Sequence, residues 1–332
     1  MEYKYKKYKS KYLNLKYQKG GKLDNPTSEF INSIKDAPPI YTLPVEKARQ
    51  ALNEATISNE KIDADVEDII IPNNISIRIV RPMNTKNKKL PVIIYFHGGG
   101  WVLGNKYTHD RLIKNLSIKA NVVVMFVNYT PAPEAKYPTQ INEAYDAVTY
   151  ISQNAQKFNV DLENLIIMGD SVGGNMAIAV ALMSKQSGLK IKYMILAYPV
   201  TSSAMDTGSY KEYADGPWLT KKAMEWFFDQ YSTASTNKND ILISPINATI
   251  TDLENFPDTL IITDENDVLR DEGELFAQKL MDAGANVTTV RVLGTCHDFL
   301  ILDALKNTNA VAMAMEIIIT RIKKIVEKNF DN

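Results

Sequence analysis

Apolar positions along the chain fall into two patterns. Pro91–Phe96 (PVIIYF) and Val122–Asn128 (VVVMFVN) are continuous apolar runs, the pattern of a strand buried on both faces. Glu67–Ile71 and Ser76–Arg81 are β-rich and flank Pro72-Asn73-Asn74, a hairpin signal. Leu165–Met168, Ile191–Ala197, Thr259–Thr263 and Val287–Val292 predict further strands. Helical stretches lie between them. Gln140–Phe158 carries Ala144, Val148, Ile151 and Ala155 at helical spacing. Tyr107–Lys119, Ser171–Ser184, Glu272–Asp282 and Ala310–Glu327 complete the set, the last ending in lysines that suit the negative end of the helix dipole. Residues 26–60 predict short helices punctuated by Pro26, Pro38, Pro39 and Pro44.

This alternation predicts an α/β fold with a mostly parallel sheet of about eight strands and helices on both faces. Residues 203–245 interrupt it. They show no strand but do show a helical stretch, Lys221–Tyr231, as expected of a lid or peripheral subdomain.

Composition narrows the picture. The chain has 332 residues, 45% apolar and 23% charged, with a net charge of -1. That balance gives no reason to expect a nucleic-acid or membrane partner. The charge is uneven: residues 1–22 hold eight lysines and one glutamate. This head, residues 1–25, is too poor in aliphatic side chains to build a core and reads as a solvated tail or an address segment with affinity for anionic surfaces. The single cysteine, Cys296, excludes an intrachain disulfide. The N-terminus has no apolar signal core, and no run reaches the roughly 18 apolar residues of a membrane span. These features predict a soluble, intracellular (cytoplasmic) protein.

Gly169-Asp170-Ser171-Val172-Gly173 matches G-x-S-x-G between a strand and a helix. In that context the serine stands on a sharp turn, and the helix start behind it favours the negative charge of acyl transfer. Alone the pattern is weak. His97-Gly98-Gly99-Gly100-Trp101 directly follows the strand Pro91–Phe96. Three glycines there free the backbone to present N–H groups, so the candidate oxyanion hole is His97, Gly98, Gly99, Gly100 and Val172, the residue after the serine. No Lys-Ser or Lys-Thr follows the glycines, which argues against a phosphate loop.

A serine nucleophile needs a base, and the base needs an acid to orient it. Of the three histidines, His97 lies in the glycine loop and His109 in or before the next helix. Only His297 comes late, after the last strand. The acid belongs between Ser171 and His297 at a strand end. It is read at Asp267, with Asp264 and Glu265 as alternatives. Trp101 and Trp218 are candidates to line a substrate pocket.

Together these motifs resemble the hormone-sensitive-lipase-like esterases, the GDXG lipolytic family, over most of residues 65–325. Gly169-Asp170-Ser171-Val172-Gly173-Gly174-Asn175 is similar to GDSAGGN, Asp267-Val268-Leu269-Arg270-Asp271-Glu272-Gly273 to DPLRDEG, and His97–Trp101 to HGGGW. The resemblance implies an α/β-hydrolase core and a helical cap built from residues 26–60 and 203–245. It implies Asp267 as the triad acid, Gly99 and Gly100 as the loop donors, short to medium acyl esters as substrates, and no metal or cofactor. It also carries departures. Thr130-Pro131 stands for Arg-Leu, which should remove an ion pair. Asp298 stands for the glycine after the histidine; pointing inward it would raise the pKa of His297, but it is expected to face solvent. Cys296 is expected to be a small buried filler. Separately, Lys11–Gly21 resembles the Lys/Tyr-rich leaders of giant DNA virus proteins, which would suit a packaged virion protein. Two other functions compete with the esterase: a binding protein that kept the fold and lost catalysis, and an amidase or deacetylase using the same triad.

Overall fold

A computed structural model describes residues 21–327; the basic head up to residue 20, with most of its leader-like segment, lies outside them. Eight strands form one sheet in the order β1-β2-β4-β3-β5-β6-β7-β8. They are β1 (Asp65–Ile71), β2 (Ile75–Arg81), β3 (Leu90–Phe96), β4 (Val123–Asn128), β5 (Val160–Asp170), β6 (Tyr193–Ala197), β7 (Asp258–Asn266) and β8 (Val287–Cys296). β1 pairs with β2, and β2 with β4, in antiparallel fashion. The remaining neighbours are parallel. The β1–β2 turn uses Asn73 and Asn74 at positive φ, a conformation that asparagine tolerates better than most residues.

The apolar runs decide which strands are central. Along β3, Val92, Ile94 and Phe96 join the core on one side of the sheet, and Ile93 and Tyr95 join the core on the other. Helices Thr139–Gln153, Val172–Ser187 and Arg270–Asp282 cover the first side, and Asp110–Ala120 and Asn309–Glu327 cover the second. Each fully buried large aliphatic or aromatic side chain contributes about 1.5–3 kcal/mol relative to exposure.

Boundaries around β5 differ from the sequence pattern. The helix expected to reach Phe158 ends at Gln153, where the Asn154 N–H closes the last turn on Ile151 and Tyr150. β5 then starts at Val160, because Val160 and Asp161 pair with Leu90 and Pro91 ahead of a register shift. Asp161 is held as strand by its neighbour, and Glu163 and Asn164 lie in the irregularity before pairing resumes at Leu165.

The insertion carries two helices, Gly208–Glu212 and Lys221–Tyr231, whose first turns are capped by Thr207 and Thr220. The second buries Met224, Phe227, Phe228 and Tyr231 against the first core. The N-terminal helix Val45–Thr56 adds Ala48 and Leu52 to the same core. Parallel pairing brings the C-terminal ends of β3, β5, β7 and β8 to one rim, where ligands of such sheets bind. Among the described residues, no helix is long and apolar enough to cross a membrane.

Candidate active site

Ser171 lies between β5 and the helix Val172–Ser187 at φ 54 and ψ -122, a backbone state that an L-residue holds only when its surroundings impose it. The surroundings do so through hydrogen bonds. The Ser171 N–H donates to Ala197 O at 2.8 Å, and its carbonyl accepts from the N–H groups of Gly174 and Val200 at 3.0 and 3.2 Å. Asn175 anchors the turn from behind, donating to Val200 O and Ile243 O. Gly173 is where β3 passes: a Cβ there would stand 2.6 Å from the Phe96 carbonyl carbon.

Ser171, His297 and Asp267, far apart in the chain, meet at the rim. His297 Nε2 lies 2.9 Å from Ser171 Oγ, and Nδ1 lies 2.7 Å from Asp267 Oδ2. The other Asp267 oxygen accepts from the Leu269 N–H at 3.0 Å. All three are buried. Burial disfavours a charged imidazole, but the carboxylates of Asp267 and then Asp298 lead the opposing interactions and hold His297 up at about 10.

The glycine loop is asymmetric, and this corrects part of the predicted oxyanion hole. The Gly98 N–H already donates to Asp170 Oδ1 at 3.1 Å. The His97 ring is stacked between Tyr129 and Phe126, at 4.2 and 5.1 Å between centroids, and its Nδ1 lies 2.8 Å from Gly98 O. Burial, and then the neighbouring His109, push His97 down to about 3, so it is neutral. His97 and Gly98 therefore brace the loop. The N–H groups of Gly99, Gly100 and Val172 have no protein acceptor among the described residues. Gly99 has φ +106, which glycine adopts freely and other residues do not.

The tryptophans divide. Trp101 has no exposed surface and stacks on Tyr231 at 4.0 Å, with Phe228 tilted against it. It belongs to the core beneath the insertion and offers a ligand nothing, contrary to expectation. Trp218 is half-buried and donates its Nε1 to Asp298 Oδ2 at 2.8 Å. Asp298 does not face solvent either. At φ 65 its side chain turns inward, is 8% exposed, and sets Oδ1 3.5 Å from His297 Nε2. Asp264 and Glu265 take other places. Asp264 is buried, and among the described residues neither of its carboxylate oxygens has a partner; burial and then the charge of Asp267 push its carboxyl well up. Glu265 accepts from the Gly294 N–H. Cys296 is buried at the end of β8.

Two supports went unread in the sequence. Asp170, inside the serine motif, is a buried hub that accepts from Tyr95 Oη at 2.7 Å and from Gly98, and lies 3.2 Å from His109 Nε2. Arg49 donates to Val102 O, Ala132 O and both carboxylate oxygens of Glu134. The loop that carries Thr130-Pro131 thus keeps an ion pair, supplied from the N-terminal helix. Thr130 itself donates to Glu143 through its N–H and hydroxyl.

With this geometry in place, comparison with known proteins gives a consistent result. The family model for the alpha/beta hydrolase fold matches residues 93–301. The chain is 45% identical over 339 residues to a protein of Acanthamoeba polyphaga mimivirus described as an alpha/beta hydrolase, with 98% of each covered. It is 30% identical over 272 residues to an ethyl acetate hydrolase of Pseudomonas putida, covering 79% of this chain and 85% of that one. The crystal structure of a thermostable esterase from Pseudomonas putida superposes with a TM-score of 0.87 at 40% identity, covering 91% of this chain and 97% of that one.

Proposed function

From the premise that the chain belongs to the alpha/beta hydrolase family, in its hormone-sensitive-lipase-like branch, and is a serine-type carboxylic ester hydrolase, we propose that Ser171, His297 and Asp267 are its catalytic triad. The observation that carries this reading is the pair of hydrogen bonds on one imidazole, 2.9 Å to Ser171 and 2.7 Å to Asp267. Ser171 Oγ attacks the ester carbonyl carbon as His297 Nε2 takes the hydroxyl proton. Asp267 fixes the proton on Nδ1 and stabilises the imidazolium. The N–H groups of Gly99, Gly100 and Val172 receive the oxyanion, each donor being worth about 3–4 kcal/mol. The imidazolium then protonates the departing alkoxide. Water, deprotonated by His297, hydrolyses the acyl-enzyme and restores Ser171.

The substrates are esters of short to medium acyl chains. Phe227 of the insertion supports this: its ring packs so closely on the glycine loop that a Cβ on Gly100 would fall within it. The helices 25–56 and the insertion thus act as a cap over the rim. The chain originates from a large DNA virus, a reading supported by the mimivirus relative and the leader-like segment Lys11–Gly21. Ser171→Ala, folded as judged by circular dichroism, is expected to lose turnover of p-nitrophenyl acetate and labelling by a fluorophosphonate. Wild-type turnover should peak at short acyl chains in a p-nitrophenyl ester series. Activity retained in Ser171→Ala removes the nucleophile assignment, and a peak at long chains removes the acyl-length assignment.

A further inference from the structure

The nitrogen of His297 that handles the serine proton has a carboxylate beside it. Asp298 Oδ1 stands 3.5 Å from Nε2, while Asp267 holds Nδ1 on the opposite edge. That oxygen is buried and has no hydrogen-bond partner among the described residues. A buried, unsatisfied carboxylate oxygen is costly, and here it stands within salt-bridge distance of the reacting atom of the base. Its other oxygen is fixed by Trp218 Nε1 at 2.8 Å. Trp218 in turn is packed against Phe30 of the N-terminal helix Asn25–Ile34, 5.4 Å between ring centroids. The backbone at Asp298 is at φ 65, which turns this side chain inward.

We propose that Asp298 is a positioning residue for the catalytic base: a second carboxylate that charges the Nε2 edge of His297, held in place by Trp218. In the resting state its charge makes the Nε2 lone pair more basic. Once Ser171 has given up its proton, the new Nε2–H points into a region already carrying negative charge. Proton transfer to the base is favoured, and the base stays protonated to a higher pH than an isolated imidazole would. The direction of the His297 shift agrees, with Asp298 second only to Asp267 among the carboxylates raising it. The inference rests on the assignment of His297 as base.

The groups facing this pair come from every neighbouring element. His297 meets Asp267 and Asp264 from the β7 end and Ser171 from the β5 turn. The edge of the Tyr198 ring, after β6, lies 4.8 Å from it between centroids. Asp298 feels Asp170 from β5 and His109 at the start of the helix Asp110–Ala120. Among the described carboxylates, Asp298 alone approaches Nε2 within salt-bridge distance.

The chain has three histidines, so side-chain 15N NMR of histidine-labelled full-length protein can follow His297 directly. Asp298→Asn keeps the shape and removes the charge. Asp298→Gly suits the positive φ and guards against a misfolded asparagine variant. Both are expected to lower the pH at which the His297 imidazolium loses its proton by about 1–3 pH units, and to move the acid limb of kcat/KM by the same amount. Trp218→Phe should move both in the same direction by less, since burial without a donor drives Asp298 towards its neutral form. A titration and an acid limb unmoved in both Asp298 variants overturn the inference. His297→Ala separates the two claims. If it stays active the base assignment fails, whereas if it is inactive and the Asp298 variants do not shift, only the role of Asp298 fails.

Discussion

Gly173→Ala sets two physical terms against each other. Gly173 lies in the first turn of the helix Val172–Ser187, and replacing a helical glycine by alanine favours the helix by up to about 1 kcal/mol. Packing has the opposite sign. The new Cβ would stand 2.6 Å from the Phe96 carbonyl carbon and 2.8 Å from that of His97. Carbon atoms ordinarily meet at about 3.5–4.0 Å, so the strand end and the helix start must part by about 1 Å, a distance at which misplaced catalytic groups lose about 100-fold in rate. Neither side can yield cheaply. Phe96 is the last residue of β3, paired with Val127 on one flank and Gly169 on the other. Overpacking of this kind costs about 1–3 kcal/mol, more than the helix gains. The displacement also pulls the Gly99 and Gly100 amides away from the Val172 amide. Loss of one oxyanion donor costs about 10²–10³ in kcat. Gly173→Ala is therefore expected to lower kcat on p-nitrophenyl acetate by about 100-fold or more with little change in KM. It should also slow fluorophosphonate labelling and lower Tm by several degrees. Steady-state kinetics and thermal unfolding check both. An alanine variant with wild-type kcat and a raised Tm would refute the reasoning, since the helix term would then have won and the two loops would not be coupled through this contact.

Two further substitutions probe the buried acids. Asp264→Ala removes two unpartnered buried oxygens and should stabilise the protein by about 1–3 kcal/mol. The folded chain keeps a proton on Asp264 that the unfolded chain releases near 3.8, so wild-type stability falls as pH rises above that value. Urea unfolding should show the advantage of Asp264→Ala growing from pH 4 to neutrality, and a less stable variant at neutral pH would count against this account. Asp170→Asn places an amide where three donors converge, from Tyr95, Gly98 and His109. It should cost about 1.5–3 kcal/mol of stability and lower kcat as the glycine loop loosens; unchanged values for both would show that the hub does not hold the loop.

Much of the sheet was legible because its central strands are buried on both faces and so read as apolar runs. β5 was legible only in its apolar half; its polar start is strand because Leu90 and Pro91 pair with it. The proposed triad was legible for a different reason, scarcity. Three histidines leave one in the right place, and chain order confines the acid to a short segment. Within the glycine loop the sequence cannot rank Gly98 against Gly99 and Gly100. The difference arises only when Asp170, 72 residues later, takes the Gly98 N–H. The Asp264–Asp267 cluster looks like a solvated acidic loop, yet Asp264 is buried within β7, an interior strand of the sheet. Asp298 misled in the same way, since its inward turn depends on a positive φ and on Trp218, 80 residues away.

These acids belong to one electrostatic system. Asp264, Asp267 and Asp298 surround a single buried imidazole, and low-dielectric surroundings cannot hold three bare negative charges beside it. Some of the sites must keep protons, and the position of those protons decides whether His297 can act as a base. Asp264, with no hydrogen bond to stabilise an anion, is the cheapest to leave neutral. Asp267 accepts from the Leu269 N–H, and at Asp298, where burial raises the carboxyl, the charge of His297 and the Trp218 N–H oppose that rise. His297 therefore faces two carboxylates on opposite edges. A more basic imidazole pulls the Ser171 proton harder, but fewer molecules carry it unprotonated at neutral pH; general-base catalysis is most effective where these two trends balance. With His297 held at about 10, that balance lies on the alkaline side, so kcat/KM should still be rising above neutrality. Removing the Asp298 charge should return the optimum towards neutral pH while lowering the plateau. A variant whose rate rose at every pH would mean that Asp298 only obstructs the base, and the two-carboxylate account of His297 would fail.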